Sequence, residues 1–183
     1  PTIYCDMDQV LCDFIGGAEK AIGMPFAQAD KEDRWKKIIN TKNFWANLEW
    51  MKDAKKLYQF IARYNPKILS ASSKRDVNSR PGKLKWLSKN TKIKRGDTNL
   101  VNRAEKQKFA TTDGKPNILI DDLGKNIQNW MNNGGLGIKY QADEDSLSKV
   151  QQGLEQFKAG QVTQESNTSK REANIFEKDS EIK

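Results

Sequence analysis

The sequence has 183 residues, of which 36% are hydrophobic and 31% are charged, and its formal net charge is +8. This size and composition predict one domain of moderate size with a small insertion. The sequence contains no histidine and only two cysteines, which excludes histidine-based catalytic triads, histidine-ligated zinc and a disulfide framework. Catalysis by this chain must therefore depend on carboxylates, lysines, hydroxyl groups and a hard metal ion.

The positive charge is concentrated in one part of the sequence. Residues 74–108 contain twelve lysines and arginines against three acids, which gives this segment a net charge of +9. A basic segment of this kind attracts anions, either phosphorylated small molecules or nucleic acid. The alternative is a set of solvated, lysine-rich helix faces, and the sequence leaves both interpretations open.

The sequence predicts a cytoplasmic protein. No apolar run is long enough to span a bilayer and no N-terminal secretion signal is present, so no membrane partner is expected. Because the sequence starts at Pro1, we expect an N-terminus from which the initiator methionine has been removed. Cys5 and Cys12 are typical of buried thiols in a reducing compartment.

In chain order, apolar runs and helical periodicity predict alternating strands and helices. The predicted strands lie at 3–5, 67–70, 99–101, 117–120 and 136–140. The predicted helices lie at 12–22, 30–40, 53–64, 82–90, 103–110 and 125–131, with a last helix capped by Asp145. Residues 111–115 are predicted to form a loop. This alternation indicates an α/β fold, with a Rossmann-like parallel sheet and helices on both faces.

The segment between the first two predicted strands is too long for a single crossover helix. We therefore predict that residues 14–65 form a small helical cap, inserted after the first strand and standing over the strand ends. Residues 1–13 and 66–160 would then form the α/β core. Residues 161–183 are polar and mixed in charge, which predicts a flexible tail.

Residues 43–50, inside the predicted cap, are dense in aromatic side chains. Phe44 and Trp45 either fill the core beneath the cap or form a wall against which a nucleobase stacks. The residue pattern alone does not separate these two interpretations.

Acidic and hydroxyl side chains follow three of the predicted strands. Asp6 and Asp8 follow the first strand, Ser70 ends the second, and Asp121 and Asp122 follow the fourth. Because the carboxyl ends of parallel strands meet at one edge of a sheet, we expect these side chains to lie close together. Four carboxylates at one edge need a cation among them, and all-oxygen ligands favour Mg²⁺. The alternative for the first pair is a turn with solvated acids.

This order of motifs resembles that of the haloacid dehalogenase-like hydrolase superfamily. The resemblance implies that Asp6 is a nucleophile that forms an aspartyl-phosphate, and that Asp8 is the general acid and base. An aspartate at the second position is the phosphatase form of the motif. The resemblance also implies that Ser70 holds the phosphoryl oxygens. Mg²⁺ would be held by Asp121, Asp122, the Asp6 carboxylate and the Asp8 backbone carbonyl.

The superfamily also has a lysine, for which the sequence offers two candidates. Lys106 and Lys108 both lie on the predicted helix at 103–110. We favour Lys106 because it lies in the first turn, nearer the strand ends. Ala71 and Lys74, just beyond the second strand, are further candidates for contact with the phosphate.

Within the superfamily, the sequence is most similar to the 5′(3′)-deoxyribonucleotidases and their phage and bacterial relatives. The similar segments are 6–14, 43–53 and 120–135. By this resemblance Phe44 and Trp45 would border a nucleobase, and the compartment would be the cytoplasm of a bacterium or of a phage-infected cell. Two features depart from that family: Gln9 stands where it usually has glycine, and residues 70–74 replace a Thr-Ser-Pro type of sequence.

The sequence therefore predicts a Mg²⁺-dependent phosphatase that hydrolyses nucleoside monophosphates through an aspartyl-phosphate. Its expected partner is a small phosphomonoester. One alternative is a phosphatase that acts on nucleic-acid ends such as a 3′-phosphate, which the basic segment favours and a closing cap disfavours. Another is a binding or structural protein on the same fold with a catalytically silent site. The sequence does not indicate an oligomeric state.

Overall fold

The computed structural model describes residues 1–158. The predicted tail at 161–183 lies outside the described residues. Across residues 1–158, no helix combines the length and the apolar character that crossing a membrane would require.

A parallel five-stranded sheet forms the centre of the molecule, in the order β3-β2-β1-β6-β7. Its strands are β1 (Ile3–Cys5), β2 (Lys67–Ala71), β3 (Thr98–Val101), β6 (Ile118–Asp121) and β7 (Leu136–Lys139). A separate antiparallel hairpin consists of β4 (Thr111–Thr112) and β5 (Lys115–Pro116). The predicted α/β fold with a parallel sheet is confirmed.

Residues 1–158 contain six α-helices. They are α1 (Phe14–Ile22), α2 (Lys31–Asn40), α3 (Ala54–Ala62), α4 (Ser79–Asn90), α5 (Gly124–Asn132) and α6 (Leu147–Lys158). Three 3-10 helices lie at Phe26–Gln28, Arg95–Asp97 and Arg103–Phe109. Asp30 accepts a hydrogen bond from the Asp33 backbone N–H (3.1 Å) and caps α2, as its sequence position predicts.

Successive residues of β1 point to opposite faces of the sheet, as the strand period of two requires. Ile3 and Cys5 belong to the larger apolar cluster, which the helices from α1 to α4 share. Tyr4 belongs to a second cluster with Ile127 and Trp130 of α5. The sheet is therefore covered on both faces.

Helices from the predicted cap and from the predicted core contribute to the same apolar cluster. Phe14 and Trp35 lie in it together with Trp86 of α4 and Ile68 of β2. The two parts are thus packed on one another, and the boundaries at 14 and 65 stay a prediction.

Three local predictions differ from the structure. The helix expected at 103–110 is a 3-10 helix over Arg103–Phe109. The loop expected at 111–115 is a hairpin, because Asp113 and Gly114 both have positive φ angles (51° and 76°) and so form a tight hairpin turn. Asp145 does not cap α6, since its carboxylate accepts a hydrogen bond from the Gln141 backbone N–H (2.8 Å) and α6 begins two residues later.

Candidate active site

The strand register brings the acidic residues to one edge of the sheet. Cys5, the last residue of β1, pairs with Ile120 of β6. Asp6 extends this ladder, because its backbone N–H donates to the Ile120 carbonyl (3.0 Å). Asp6 therefore lies beside Asp121, the last residue of β6, as the parallel topology predicts.

The turn after β1 sets the position of Asp8. The Met7 carbonyl accepts hydrogen bonds from the backbone N–H groups of residues 10, 11 and 12 (2.8–3.1 Å). These bonds close the chain into a tight loop. Gln9 lies within this loop with a φ angle of 62°, a left-handed conformation that glycine adopts more easily. The Gln9 side chain stabilises the loop by accepting a hydrogen bond from the Ile15 backbone N–H (2.9 Å). The departure from glycine thus leaves a left-handed turn in place.

Three carboxylates form a cluster that a metal ion could occupy. Asp6, Asp121 and Asp122 each offer one oxygen, and these oxygens lie within 4.8 Å of one another. All three residues are at most 3% exposed. A buried all-oxygen set of this kind fits Mg²⁺, which prefers carboxylate ligands. The carboxylate of Asp8 is not part of this set; the ligand predicted from Asp8 is its backbone carbonyl, and that contact stays a prediction.

Lys106 lies between two members of the carboxylate cluster. Its Nζ is 3.1 Å from Asp6 Oδ1 and 3.0 Å from Asp121 Oδ2, and the side chain is 3% exposed. Lys108, the other candidate, is exposed to solvent. The 3-10 winding of residues Arg103–Phe109 thus turns the first of the two lysines toward the strand ends.

Lys83 of α4 is a second buried lysine at the site, and the sequence analysis gave it no role. Its Nζ donates to Asp8 Oδ2 (2.9 Å), to Ser70 Oγ (3.0 Å) and to the Ala71 carbonyl (2.7 Å). An ammonium group has three N–H donors, so all of them are used. Lys83 therefore joins the end of β2 to the second acid of the Asp6-Met7-Asp8 motif.

A sequence signal for Lys83 does exist. Trp86 and Leu87, three and four residues later, lie on the same helix face and are buried. A lysine on the apolar face of a helix needs a buried acidic partner, and the pattern could have identified it on this ground.

The other residues predicted to surround a phosphate have different environments. Ser70 is fully buried and contacts Lys83, as described above. Ala71 is also buried and contributes its carbonyl. Lys74 is exposed on the loop after β2. The structure thus brings Ser70 and Ala71 to the acids, whereas Lys74 lies at the surface.

Two groups of the segment after β6 hold Asp121 in place. The Leu123 backbone N–H donates to Asp121 Oδ1 (2.9 Å), and Asn126 Nδ2 of α5 donates to Oδ2 (3.0 Å). Asn126 is 5% exposed, and the sequence analysis assigned it no function. Together with Lys106, these donors fix the orientation of the central carboxylate of the cluster.

Phe44 and Trp45 are packed inside the protein, with exposures of 6% and 2%. Trp45 stacks on Phe14 (ring centroids 5.2 Å apart) and more distantly on Trp35 (6.4 Å). Its Nε1 donates to Asp76 Oδ2 (2.8 Å), and Lys83 Nζ lies 5.5 Å from its ring centroid. This packing is what the core-filling interpretation of the aromatic segment predicts. Stacking of a nucleobase on either ring would need an exposed ring face. Contact of these residues with a nucleobase stays a prediction.

The buried site has an excess of negative formal charge. Its four carboxylates (Asp6, Asp8, Asp121, Asp122) carry −4, and the two lysines carry +2, so the sum is −2. In addition, Asp8 Oδ1 is buried and accepts no hydrogen bond within residues 1–158. Because buried charges in proteins are paired or bind metals, this balance favours one divalent cation.

The two cysteines lie near the acids but do not supply a nucleophile. Both are buried free thiols. Burial, and next the charge of Asp8, raise the pKa of Cys12 well above its usual value. A protonated buried thiol is unreactive, so Cys12 is not expected to act as a nucleophile.

Solved structures with a similar backbone share this arrangement of strands and helices. L-2-haloacid dehalogenase from Xanthobacter autotrophicus, with chloropropionic acid covalently bound, aligns over 92% of this chain and 91% of its own, with 11% identity and a TM-score of 0.51. The fold is that of the haloacid dehalogenases. A hydrolase from Streptococcus pneumoniae TIGR4 aligns over 84% of this chain and 97% of its own, with 11% identity and a TM-score of 0.50.

No protein-family model matches the sequence, and no curated protein sequence matches it significantly. A fold supports many reactions, so the haloacid dehalogenase fold by itself does not identify a substrate. The reaction has to be argued from the residues at the strand ends.

Proposed function

We propose that this chain is a Mg²⁺-dependent phosphatase that hydrolyses phosphomonoesters, with nucleoside monophosphates as the preferred substrates. One observation carries the proposal: three buried carboxylates and a buried lysine converge at the end of β1, where Asp6 is the first residue after the strand. A nucleophilic acid in such a position is suited to attack phosphorus.

In the proposed first step, an Asp6 carboxylate oxygen attacks the phosphorus atom and the bond to the ester oxygen breaks. Asp8, a carboxylate in the free protein, takes up a proton with the substrate and gives it to the leaving oxygen, so the product leaves as an alcohol. In the second step Asp8 takes a proton from water, which attacks the phosphorus of the aspartyl-phosphate. Inorganic phosphate is released and the Asp6 carboxylate is restored.

The other residues bind and orient the reacting groups. Lys106, which lies 3.1 Å from Asp6, would neutralise charge on the phosphoryl oxygens. Asp6, Asp121 and Asp122 are the residues that would hold Mg²⁺, and the ion supplies positive charge beside the phosphoryl group. Lys83 holds Asp8 and Ser70 at a fixed separation through two hydrogen bonds.

The preference for nucleoside monophosphates is supported by sequence resemblance to the 5′(3′)-deoxyribonucleotidases in segments 6–14, 43–53 and 120–135. The presence of Asp8 favours phosphatase over dehalogenase chemistry, because only phosphoryl transfer needs an acid for the leaving oxygen. A second candidate substrate is the phosphorylated end of a nucleic acid, which the +9 charge of residues 74–108 favours.

The experiment that tests the proposal is phosphate release from a panel of nucleoside monophosphates, with Mg²⁺ and with EDTA. The wild type is compared with Asp6→Asn and with a control, Asp33→Asn, which changes an exposed acid of α2. We expect release only with Mg²⁺, loss of nearly all turnover in Asp6→Asn, and normal turnover in Asp33→Asn. Full activity in Asp6→Asn, or no release from any phosphomonoester or phosphorylated oligonucleotide, would contradict the proposal.

A further inference from the structure

A row of exposed basic side chains follows α4 and the loop after it. Its members are Lys85, Lys89, Lys92, Lys94 and Arg95, which we call the α4 basic surface. Lys85 and Lys89 are separated by one helical turn and therefore share a face of α4. This face is opposite the one that Lys83, Trp86 and Leu87 bury. The basic residues are thus not needed for packing of the helix.

These five cations have no acidic partner within residues 1–158, whereas some cations elsewhere do. Lys20 pairs with Glu49 (3.2 Å), and Arg75 pairs with Glu32 (3.1 Å). Between residues 77 and 104 the sequence contains a single acid, Asp97, against eight basic residues. The positive potential of the α4 basic surface is therefore not cancelled locally.

The surface is elongated rather than a single pocket. The surface covers the last six residues of α4, from Lys85 to Asn90, which have a length of about 9 Å, and it continues through residues 91–95. At its C-terminal end, Lys92, Lys94 and Arg95 line a cleft of about 520 Å³ together with Ser88. Cations spread over this length exceed what one phosphate group could contact.

We propose that the α4 basic surface binds the phosphate backbone of a nucleic acid without sequence preference. The helical part of the surface alone corresponds to between two and three phosphates at about 3.4 Å per phosphate along one strand. No aromatic side chain within the surface is exposed, so contacts would go to phosphates rather than to stacked bases.

A membrane surface fits these features less well than a nucleic acid. Proteins that bind anionic lipids usually add apolar side chains to a basic face. The large hydrophobic residues that the described chain exposes are Met24, Ile39, Tyr64 and Val77, and none lies between residues 79 and 95. The inference goes beyond the proposed function, since binding here requires none of the acids at the strand ends.

The test measures binding of fluorescein-labelled oligonucleotides, single-stranded and duplex, by fluorescence anisotropy in EDTA. The variant Lys85→Ala/Lys89→Ala/Lys92→Ala removes three cations of the surface. The control Lys36→Ala/Lys52→Ala/Lys55→Ala removes the same charge from exposed lysines elsewhere. The binding measurements use an Asp6→Asn background and cover about 50 to 200 mM salt, where phosphate contacts change affinity most visibly; the hydrolysis measurements keep Asp6.

We expect the wild-type surface to bind oligonucleotides of different sequence equally and to lose affinity steeply with salt. The logarithmic salt slope of the triple variant should be shallower by about 2.7, because each phosphate contact contributes about 0.9. The control variant should keep the slope of the parent. Absence of binding at low salt, an equal effect of both triple variants, or equally strong binding to phosphatidylserine vesicles would overturn the inference.

Hydrolysis of p-nitrophenyl phosphate separates this inference from the proposed function. The α4 variant should hydrolyse it at the wild-type rate, because none of its three substitutions touches the strand-end acids. If the wild type binds oligonucleotides but hydrolyses no phosphomonoester, the proposed function fails and the binding surface stands.

Discussion

Replacement of Lys83 by methionine removes the only ammonium group beside Asp8 among the described residues and keeps an unbranched side chain that is one atom shorter. Lys83 and Asp8 each have a side-chain exposure of 2%. The substitution leaves the Asp8 carboxylate buried without its partner and removes the hydrogen bonds to Ser70 and to the Ala71 carbonyl. Lys83→Met therefore tests whether the buried pair is a structural requirement of the site.

The magnitude follows from the burial of the pair. Removal of one partner of a buried ion pair costs about 3–5 kcal/mol, because the remaining charge stays out of water. In a chain of this size, each kcal/mol corresponds to about 2–4 °C in Tm, so the Tm of Lys83→Met should fall by roughly 6–20 °C. Lys85→Met, on the exposed face of the same helix, should change stability by less than about 0.5 kcal/mol.

The assay is urea unfolding at pH 7 of the wild type, Lys83→Met, Asp8→Asn and the double variant. Because the double variant leaves no buried charge at this position, it should be more stable than the sum of the single effects predicts. A free energy of unfolding of Lys83→Met within about 1 kcal/mol of the wild type would refute the reasoning, since such a loss is ordinary for any substitution. Additive effects in the double variant would refute it equally.

Three other predictions concern the site. Lys106→Met should lose most phosphatase turnover while Lys108→Met retains it, because Lys106 Nζ lies 3.1 Å from Asp6, the proposed nucleophile, and Lys108 is exposed. Equal kcat values for the two variants would contradict this assignment. Mg²⁺ at about 100 times its Kd should stabilise the protein by about 2.7 kcal/mol, which can be measured as a rise in Tm relative to the protein in EDTA. The same rise in Asp122→Asn would argue against the three-carboxylate site. Iodoacetamide should not modify Cys12 in the folded protein, because burial raises the pKa of its thiol. The Cys12 thiol ionises above about pH 8.5 in the unfolded protein but stays protonated in the folded protein, so the free energy of unfolding should fall above that pH. Urea unfolding of the wild type and of Cys12→Ala, at pH 7 and at higher pH, should show a smaller loss of stability in the variant.

The sequence predicted the sheet and the acids of the site because these depend on local signals. Apolar runs interrupted by aspartate define the ends of β1 and β6, and the parallel topology then brings Asp6 beside Asp121. The right-handed rule for strand connections and the burial of both sheet faces leave few other arrangements. The carboxylate cluster could therefore be foreseen without any knowledge of side-chain contacts.

The helix pattern could have indicated that Lys83 is buried, but the identity of its partner could not be derived in the same way. Its partner Asp8 lies 75 residues away in sequence, and residues 74–108 contain twelve basic side chains of which most are solvated. A count of charges in the sequence does not distinguish Lys83 from the solvated basic residues of this segment. The contact depends on how α4 packs against the end of β2, which is a property of tertiary structure.

The environment of Trp45 was undecided for a similar reason. Aromatic density indicates burial or ligand contact equally well, and only the packing of Trp45 on Phe14, at 5.2 Å, favours the core.

The hairpin at 111–116 was missed although Asp113-Gly114 is a sequence typical of such turns, because the strands on either side have only two residues each.

The positions of the two buried lysines give them different relations to a metal ion. Lys106 contacts Asp6 and Asp121, which both belong to the carboxylate cluster, so a cation bound there would share these two carboxylate groups with Lys106. Lys83 contacts Asp8, whose carboxylate is outside the cluster. The pair of Lys83 and Asp8 therefore need not rearrange when the cluster is filled. A general acid that is held in one place before the substrate arrives needs no reorganisation during proton transfer, and this is the arrangement that the proposed reaction requires of Asp8.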